Sequence, residues 1–335
     1  MSRPQVSILM PVYNEALFLQ STLASLQNQT LRQWELVVVD DGSNDGTKRL
    51  LGQAASADPR IRPFFLPRSG IVAALKYGLE NCQSDFVARL DGDDICHPKR
   101  LEKQLDALKR DSQLDLVACR IEHFPRSDMQ PGMKAYETWQ NELLSHDQIM
   151  RDRFVESPFA HPSVMFRKSA VERVGGYRDQ PWAEDYDLWL RMADAGFRFQ
   201  GLAETLLYWR DRPQRLTRTA TNCSLDAFRR CRLHYLERDF LSNRKTVTLW
   251  GAGQEGKKWQ TLLRESGFEI SCWVEVDRRK IGQRICNAPV IGRSELTASH
   301  APILVTIGSR GARGEVRDVA TVQRLSEGED YVCVT

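Results

Sequence analysis

The chain has 335 residues, 41% apolar and 27% charged, the balance of an ordinary globular protein rather than of a disordered, collagen-like or coiled-coil one. Lys and Arg number 47 against 44 Asp and Glu, a net charge of +3, which is too even for a dedicated nucleic-acid binder. At about 150 residues per domain the length predicts two domains, and no apolar run approaches the ~18 residues of a transmembrane helix.

A signal peptide is not expected, because the alternating segment Val6–Val12 begins almost at once. The eight cysteines (82, 96, 119, 223, 231, 272, 286 and 333) include no C-x-x-C pair. That argues against a zinc site or a disulfide framework, and predicts reduced thiols and a cytoplasmic location.

In chain order, short apolar runs alternate with amphipathic stretches. Val6–Met10, Leu36–Val39, Ile61–Leu66 and Phe86–Leu90 read as strands, rich in branched or aromatic residues. Between the first two, Ala16, Leu19, Leu23 and Leu26 share one helical face. A further helix follows Pro98, a favourable first-turn residue, with Leu101, Leu105 and Leu108 on one side. Such repetition needs crossover helices, which predicts an α/β domain with a mostly parallel sheet covered on both faces. Ligands of these sheets bind beyond the carboxyl ends of the strands, so the residues just after each run are the first candidates.

The second run delivers Asp40-Asp41-Gly42-Ser43. Two adjacent carboxylates beside a glycine turn suit a nucleotide's base and ribose, and equally suit a plain turn into a helix capped by Ser43 or Asp45. The fourth run delivers Asp91-Gly92-Asp93-Asp94. Three crowded carboxylates repel one another; either a hard cation, Mg²⁺ or Mn²⁺, relieves that or the turn is simply solvated. A calcium EF-hand is excluded, since Cys96 stands where the loop needs glycine and Pro98 interrupts it. From Phe124 to Pro162 no period dominates. A strand over Val164–Phe166 and a helix through Asp187, Leu188, Leu190 and Met192 follow. That helix opens with Glu184-Asp185-Tyr186-Asp187, acids that complement the helix dipole or supply a general base.

Taken in register, Pro11-Val12-Tyr13-Asn14-Glu15, Asp40–Ser43, Leu90–Asp94 and Glu184–Trp189 resemble the motifs of the inverting nucleotide-sugar glycosyltransferases of family 2, over roughly residues 4–210. The resemblance implies a GT-A fold, a nucleotide-sugar donor (most often UDP-linked) and a Mg²⁺ or Mn²⁺ cofactor. It implies that Pro11, Val12 and Tyr13 hold the base, with Tyr13 against its face, and that Glu15, Asp40 and Asp41 complete the nucleotide site, Asp41 bonding to the base ring. Asp91 and Asp93 would be the D-x-D pair, Asp93 the direct metal ligand, and Asp185 the catalytic base. Glu184 and Trp189 would stand near the diphosphate or a glycan or lipid-linked hydroxyl acceptor. His161, in a segment that resembles one near the acceptor site, is either an acceptor-site residue or, as a lone histidine more often is, structural. Arg210, Arg212, Arg215 and Arg218 either close over a diphosphate or form a solvated basic loop. No Q-x-x-R-W sequence, the mark of the family's processive synthases, occurs, which predicts one sugar per encounter in surface-glycan or polysaccharide assembly.

Elementary chemistry agrees. A departing diphosphate gathers negative charge that a cation neutralises, while a carboxylate on the opposite face deprotonates the attacking hydroxyl.

From Arg210 to Lys245 there are ten Arg/Lys against four Asp/Glu. The helix expected over 225–241 either packs on the catalytic domain with its arginines in solvent, the preferred reading, or touches an anionic membrane. Near Ser242–Lys245 the pattern restarts, with strands at Thr246–Trp250, Ile270–Val276, Pro302–Ile307 and Tyr331–Val334. The expected organisation is therefore 1–243, with a motif-bearing core 4–210 and a helical extension 211–243, followed by a smaller Rossmann-like α/β domain over 246–335. Gly251, Gly253 and Gly256, with Glu275 or Asp277 after the next strand, are either a second nucleotide site or a device for close strand–helix packing. This segment resembles small Rossmann-like, nucleotide-sugar-binding domains attached to sugar acyltransferases. Two rival functions stay open: an NAD(P)-dependent oxidoreductase working through those glycines, and a non-catalytic nucleotide-sugar-binding scaffold, for which intact Asp93 and Asp185 have no use.

Overall fold

Eight strands build the first sheet: β1 (Val6–Val12), β2 (Trp34–Asp41), β3 (Ile61–Leu66), β4 (Phe86–Arg89), β5 (Ile95–Cys96), β6 (Leu114–Phe124), β7 (Val164–Arg167) and β8 (Arg198–Arg210). Their order is β3-β2-β1-β4-β7-β6-β8-β5. The computed structural model describes residues 3–212, 215, 220–309 and 311–335. It divides into two compact units, one of residues 1–149 and 158–220, the other of 150–157 and 221–335.

In the first unit β1, β2, β3 and β4 pair in parallel, as do β6 and β8, whereas β7 runs antiparallel to both β4 and β6 and β5 to β8. The mostly parallel α/β sheet expected from the alternating runs is present. Its inner strands read as continuous apolar runs because helices cover both faces; Ile8, Met10, Leu36, Val38 and Ala88 share a core with Leu19, Leu23 and Leu26 of α1 (Leu19–Gln27). The helix after Pro98 spans Arg100–Arg110, and its Leu101, Leu105 and Leu108 are all buried, each contributing about 1.5–3 kcal/mol by leaving water.

Register decides what meets at the functional edge. Val12 faces Asp40 and Leu9 faces Arg89, so the chain leaving β1, β2 and β4 emerges side by side. Antiparallel β7 starts where β4 ends, Met165 facing Ala88, which brings the 3₁₀ turn His161–Ser163 to the same edge. Two helices fill the stretch that showed no period, Pro131–Glu142 and His146–Asp152.

The second unit is a six-stranded sheet of β9 (Thr246–Trp250), β10 (Glu269–Glu275), β11 (Arg284–Ile285), β12 (Ala288–Gly292), β13 (Ile303–Val305) and β14 (Tyr331–Cys333), ordered β11-β12-β10-β9-β13-β14. All pairs are parallel except the short β11–β12 hairpin. This is a Rossmann-like sheet whose order reverses between β9 and β13.

The helix Leu225–Arg238, expected as an extension of the catalytic domain with its arginines in solvent, belongs to this unit. Arg229 and Arg232 are buried. Arg232 donates to the Val334 carbonyl at 3.0 Å and Arg229 pairs with Asp226 and Glu255, so these charges are spent inside the unit rather than offered to a membrane. Met150–Ser157 joins the same unit through Arg317, whose Nη2 lies 2.5 Å from Asp152 Oδ1. Among the described residues no helix is long and apolar enough to cross a membrane.

Candidate active site

Pro11 and Val12 belong to β1 rather than to a base-holding loop. Strand pairing continues through Pro11↔Val39 and Val12↔Asp40, and both side chains are buried. Proline is tolerated in this inner strand because pairing with β4 ends at Leu9, two residues earlier. Of the three, only Tyr13 presents itself, 38% exposed. The turn that follows is pinned to the one after β2: Asn14 N–H donates to Ser43 Oγ at 2.8 Å and Glu15 N–H to Thr47 Oγ1 at 2.9 Å.

Asp40 accepts the Ser43 N–H at 3.2 Å through one oxygen, while its other oxygen is buried without a partner. Asp41 is more fully held. It pairs with Arg68 and accepts N–H bonds from Ser69 at 2.6 Å and Gly70 at 3.0 Å. The Arg68 guanidinium in turn lies 3.6 Å from the Tyr13 ring centroid, a cation–π contact. Arg68 was not singled out in the sequence, although it follows the third strand and the rule that flagged the other strand ends applies to it.

Beyond β4 the acidic turn closes tightly. Gly92 allows this, since a Cβ there would sit 2.7 Å from Val12 Cγ1 and 3.1 Å from Glu15 Cγ. Ligand oxygens of Asp91, Asp93 and Asp94 lie within 4.8 Å of one another. Asp91 pairs with Arg89, a fully enclosed strand residue whose Nε has no partner. Asp94 accepts the Arg210 N–H at 2.8 Å, and its second oxygen is buried and unpartnered. Burial, and then the charges of its neighbours Asp93 and Asp91, raises the Asp94 carboxyl well above the usual range; burial and Asp91 raise Asp93. Such a set crowds three carboxylates together and offers hard oxygen donors, one of them orphaned. It fits a divalent cation.

The basic residues after β8 lean onto this cluster. Arg210 is sandwiched between Phe18 and Phe124, at 4.3 and 4.4 Å, and its Nε donates to the Asp93 carbonyl at 2.8 Å. Arg212 reaches Asp93 Oδ2 with Nε at 2.8 Å and pairs with Glu15 through Nη2. Glu15 is pushed up to about 8 by burial and by the Asp93 charge, against the pull of Arg212. Arg215 packs over Trp209 at 3.8 Å; Arg218 lies outside the described residues.

Glu184 and Asp185 open the helix Glu184–Asp194. Burial raises both. Glu184 rises further, to about 8, whereas Asp185 reaches about 6 because the Tyr186 N–H and the charge of Arg89 favour its ionised form. His161 is buried, its Nε2 2.9 Å from Tyr177 Oη and its Nδ1 3.7 Å from Glu184 Oε1. Burial and Arg89 depress its pKa well below the ordinary value, so the ring is neutral. Trp189 is not an acceptor-facing residue. It is 1% exposed and packs edge-on against Phe159 and His161 at 5.7 Å, so its ring is enclosed in the core. Asp187 also serves the scaffold, binding Trp182 Nε1 at 3.0 Å and Arg191 at 2.8 Å.

In the second unit, Gly251 and Gly256 are fixed by packing. A Cβ on Gly256 would lie 1.9 Å from the Gly251 carbonyl oxygen, and Gly251 has φ +117 with Ile307 at 2.7 Å; a Cβ on Gly253 meets nothing within 4 Å. Burial alone would raise the Glu275 carboxyl, but Lys280 and the N–H groups of Val276 and Ala252 hold it below the usual range. That brings Glu275 onto the glycine turn. Asp277 instead pairs with Arg279 in its own loop at 3.0 Å.

Residues 7–175 match the family described as Glycosyl transferase family 2. The UDP-Gal:alpha-D-GlcNAc-diphosphoundecaprenol beta-1,3-galactosyltransferase of Escherichia coli is 30% identical over 207 residues, covering 61% of this chain and 73% of its own. Among solved structures, S. aureus TarS 1–349 in complex with UDP-GlcNAc superposes with a TM-score of 0.56 at 16% identity, covering 78% of this chain and 71% of that one. The mannosyltransferase PcManGT from Pyrobaculum calidifontis, in complex with GDP-Man and Mn²⁺, gives 0.50 at 21% identity, over 70% and 62% of the two chains.

Proposed function

This chain belongs to glycosyl transferase family 2 and is a glycosyltransferase, and from that premise we propose that its first unit transfers one sugar per encounter, with inversion, from a UDP-linked donor to a hydroxyl of a glycan or lipid-linked acceptor. The observation that carries this reading is the crowding of Asp91, Asp93 and Asp94 within 4.8 Å at an edge where Asp185 feels the charges of both Arg89 and Asp91. Donor-side and acceptor-side carboxylates then flank one reaction centre.

Asp91, Asp93 and Asp94 would hold Mg²⁺ or Mn²⁺; the cation supplies positive charge to a diphosphate leaving group. Tyr13 and Arg68 form a flat face for a base, with Asp40 and Asp41 beside it. Arg212 adds charge next to Asp93. Asp185 takes the proton from the acceptor hydroxyl as its oxygen attacks the anomeric carbon from the side opposite the diphosphate, which inverts that centre. Burial raises Glu184 further than Asp185, which makes Asp185 the more readily ionised member of the pair. Neutral His161, held by Tyr177, lies beside Glu184 without competing for the proton. Support for a lipid-linked acceptor comes from the E. coli relative, whose name specifies a diphosphoundecaprenol acceptor; we place the reaction at the cytoplasmic side of a membrane, in surface-glycan assembly.

A thermal-shift screen of UDP-, GDP- and dTDP-sugars with and without Mn²⁺ tests this reading, since a ligand that binds the native state raises its melting temperature. One nucleotide series should stabilise the protein more strongly with Mn²⁺ present. No shift from any nucleotide sugar, with or without Mn²⁺, removes the donor site.

A further inference from the structure

Among the described residues Arg212 has two carboxylates at once: its Nε lies 2.8 Å from Asp93 Oδ2 and its Nη2 pairs with Glu15 Oε1. Asp93 is one of three carboxylates crowded within 4.8 Å, so Arg212 stands where a bound cation's charge would act. Glu15 has no backbone or helix-capping duty for its carboxylate. Its Oε1 engages Arg212 and its Oε2 is buried without a partner, while its stem is wedged against Gly92. Arg212 is the second residue after β8, whose last residue, Arg210, is fixed by two aromatic faces and two hydrogen bonds. Its side chain therefore extends from a fixed base.

Resting on the cation-dependent reading above, we propose that Arg212 is an exchangeable counter-charge: it neutralises Asp93 when no divalent ion is bound, and is displaced from Asp93 onto the donor diphosphate when the ion arrives, with Glu15 as the anchor that retains it over the site. A guanidinium and a divalent cation cannot share one carboxylate at close range without strong repulsion. Arg212 keeps its bond to Glu15 Oε1, and its freed N–H groups meet the diphosphate oxygens, for which a planar fork is well matched. Glu15 is thereby a positioning residue. The buried Oε2 gives Arg212 a second acceptor on the same carboxylate once Asp93 is taken.

This scheme has a sign that a merely structural role does not share. Mn²⁺ binding to the full-length protein is measured by electron paramagnetic resonance without nucleotide, and UDP and GDP binding by calorimetry in saturating Mn²⁺. Arg212→Ala should bind Mn²⁺ alone about tenfold more tightly than wild type, because its competitor is gone, and should bind the preferred nucleoside diphosphate about tenfold more weakly. Glu15→Gln should weaken both, because Arg212 then stays on Asp93. Arg212→Met keeps the aliphatic stem and should repeat the Arg212→Ala result if the alanine variant is unstable. Unchanged or weaker Mn²⁺ affinity in a folded Arg212 variant overturns the exchange, as does undiminished nucleotide affinity. A wild-type protein that binds no Mn²⁺ overturns instead the cation-dependent reading on which the exchange rests.

Discussion

Both units gather acids and glycines at the carboxyl ends of parallel strands, yet they treat charge in opposite ways. In the second unit Glu275 is held by Lys280 and two N–H groups and Asp277 by Arg279, and the glycines at 251 and 256 are used up by packing. In the first unit Asp40, Asp94 and Glu15 each keep a buried oxygen without a partner. Burial also raises the carboxyl groups of Glu15, Asp93, Asp94, Glu184 and Asp185 together. A shared scaffold does not confer a shared chemistry. Incomplete neutralisation is what marks the first edge as the reactive one, since native proteins seldom leave buried polar groups unsatisfied without a use for them.

The sharpest way to break the contrast is to remove a carboxylate from the crowded edge. Asp93→Ala should abolish turnover and remove the Mn²⁺-dependent part of donor binding, measured by transfer assay and calorimetry; full activity in that variant, or in wild type with excess EDTA, ends the metal-assisted mechanism. Next in size, Asp185→Asn should lower the rate by about 10²–10⁴ while donor affinity holds. Collapse of donor binding at an unchanged rate would make Asp185 a donor-site residue.

A milder probe is pH. Asp185 works ionised and its carboxyl is raised to about 6, so the saturated rate should fall about tenfold per unit below that pH and level off above it, an acid limb absent from Asp185→Asn. The smallest effects belong to the second unit. Gly256→Ala forces a Cβ toward the Gly251 carbonyl and should cost about 1–3 kcal/mol of that unit's stability, whereas Gly253→Ala should stay within about 0.5 kcal/mol, both read by denaturant unfolding. Equal losses at the two positions would show that Gly253 is also a packing residue.

Much of this organisation could be read in advance where periodicity and burial coincide. The runs of β1, β2, β4 and β9 were visible because both faces are covered, that of half-buried β3 because its branched and aromatic residues cluster, and the acids at 40–41, 91–94 and 184–185 because each follows a strand or opens a helix. Pro131–Glu142 was not, since Gln140 is its only buried residue and no apolar stripe forms. The strand Arg198–Arg210 hid for a related reason: exposed and buried positions mix irregularly along it, and bulges interrupt its register with β6. Trp189 misled because a motif shows neighbours in sequence and not the rings of Phe159 and His161 that enclose it. Arg89 carried a usable signal, a charge inside an apolar strand, whose partners only the register could name.

The short stretch Met150–Ser157 has a consequence in time. It is flanked on both sides by the first unit but packs within the second, and Asp152 meets Arg317, 165 positions downstream. A ribosome adding roughly 5–20 residues per second needs about 8–33 s to make that partner. During synthesis, then, Phe154 and Val155, buried in the finished protein, stay without their final neighbours after the first unit's strands have emerged. The second unit therefore does not mature from its contiguous downstream stretch alone: it closes only when Arg317 meets a segment made 165 positions earlier.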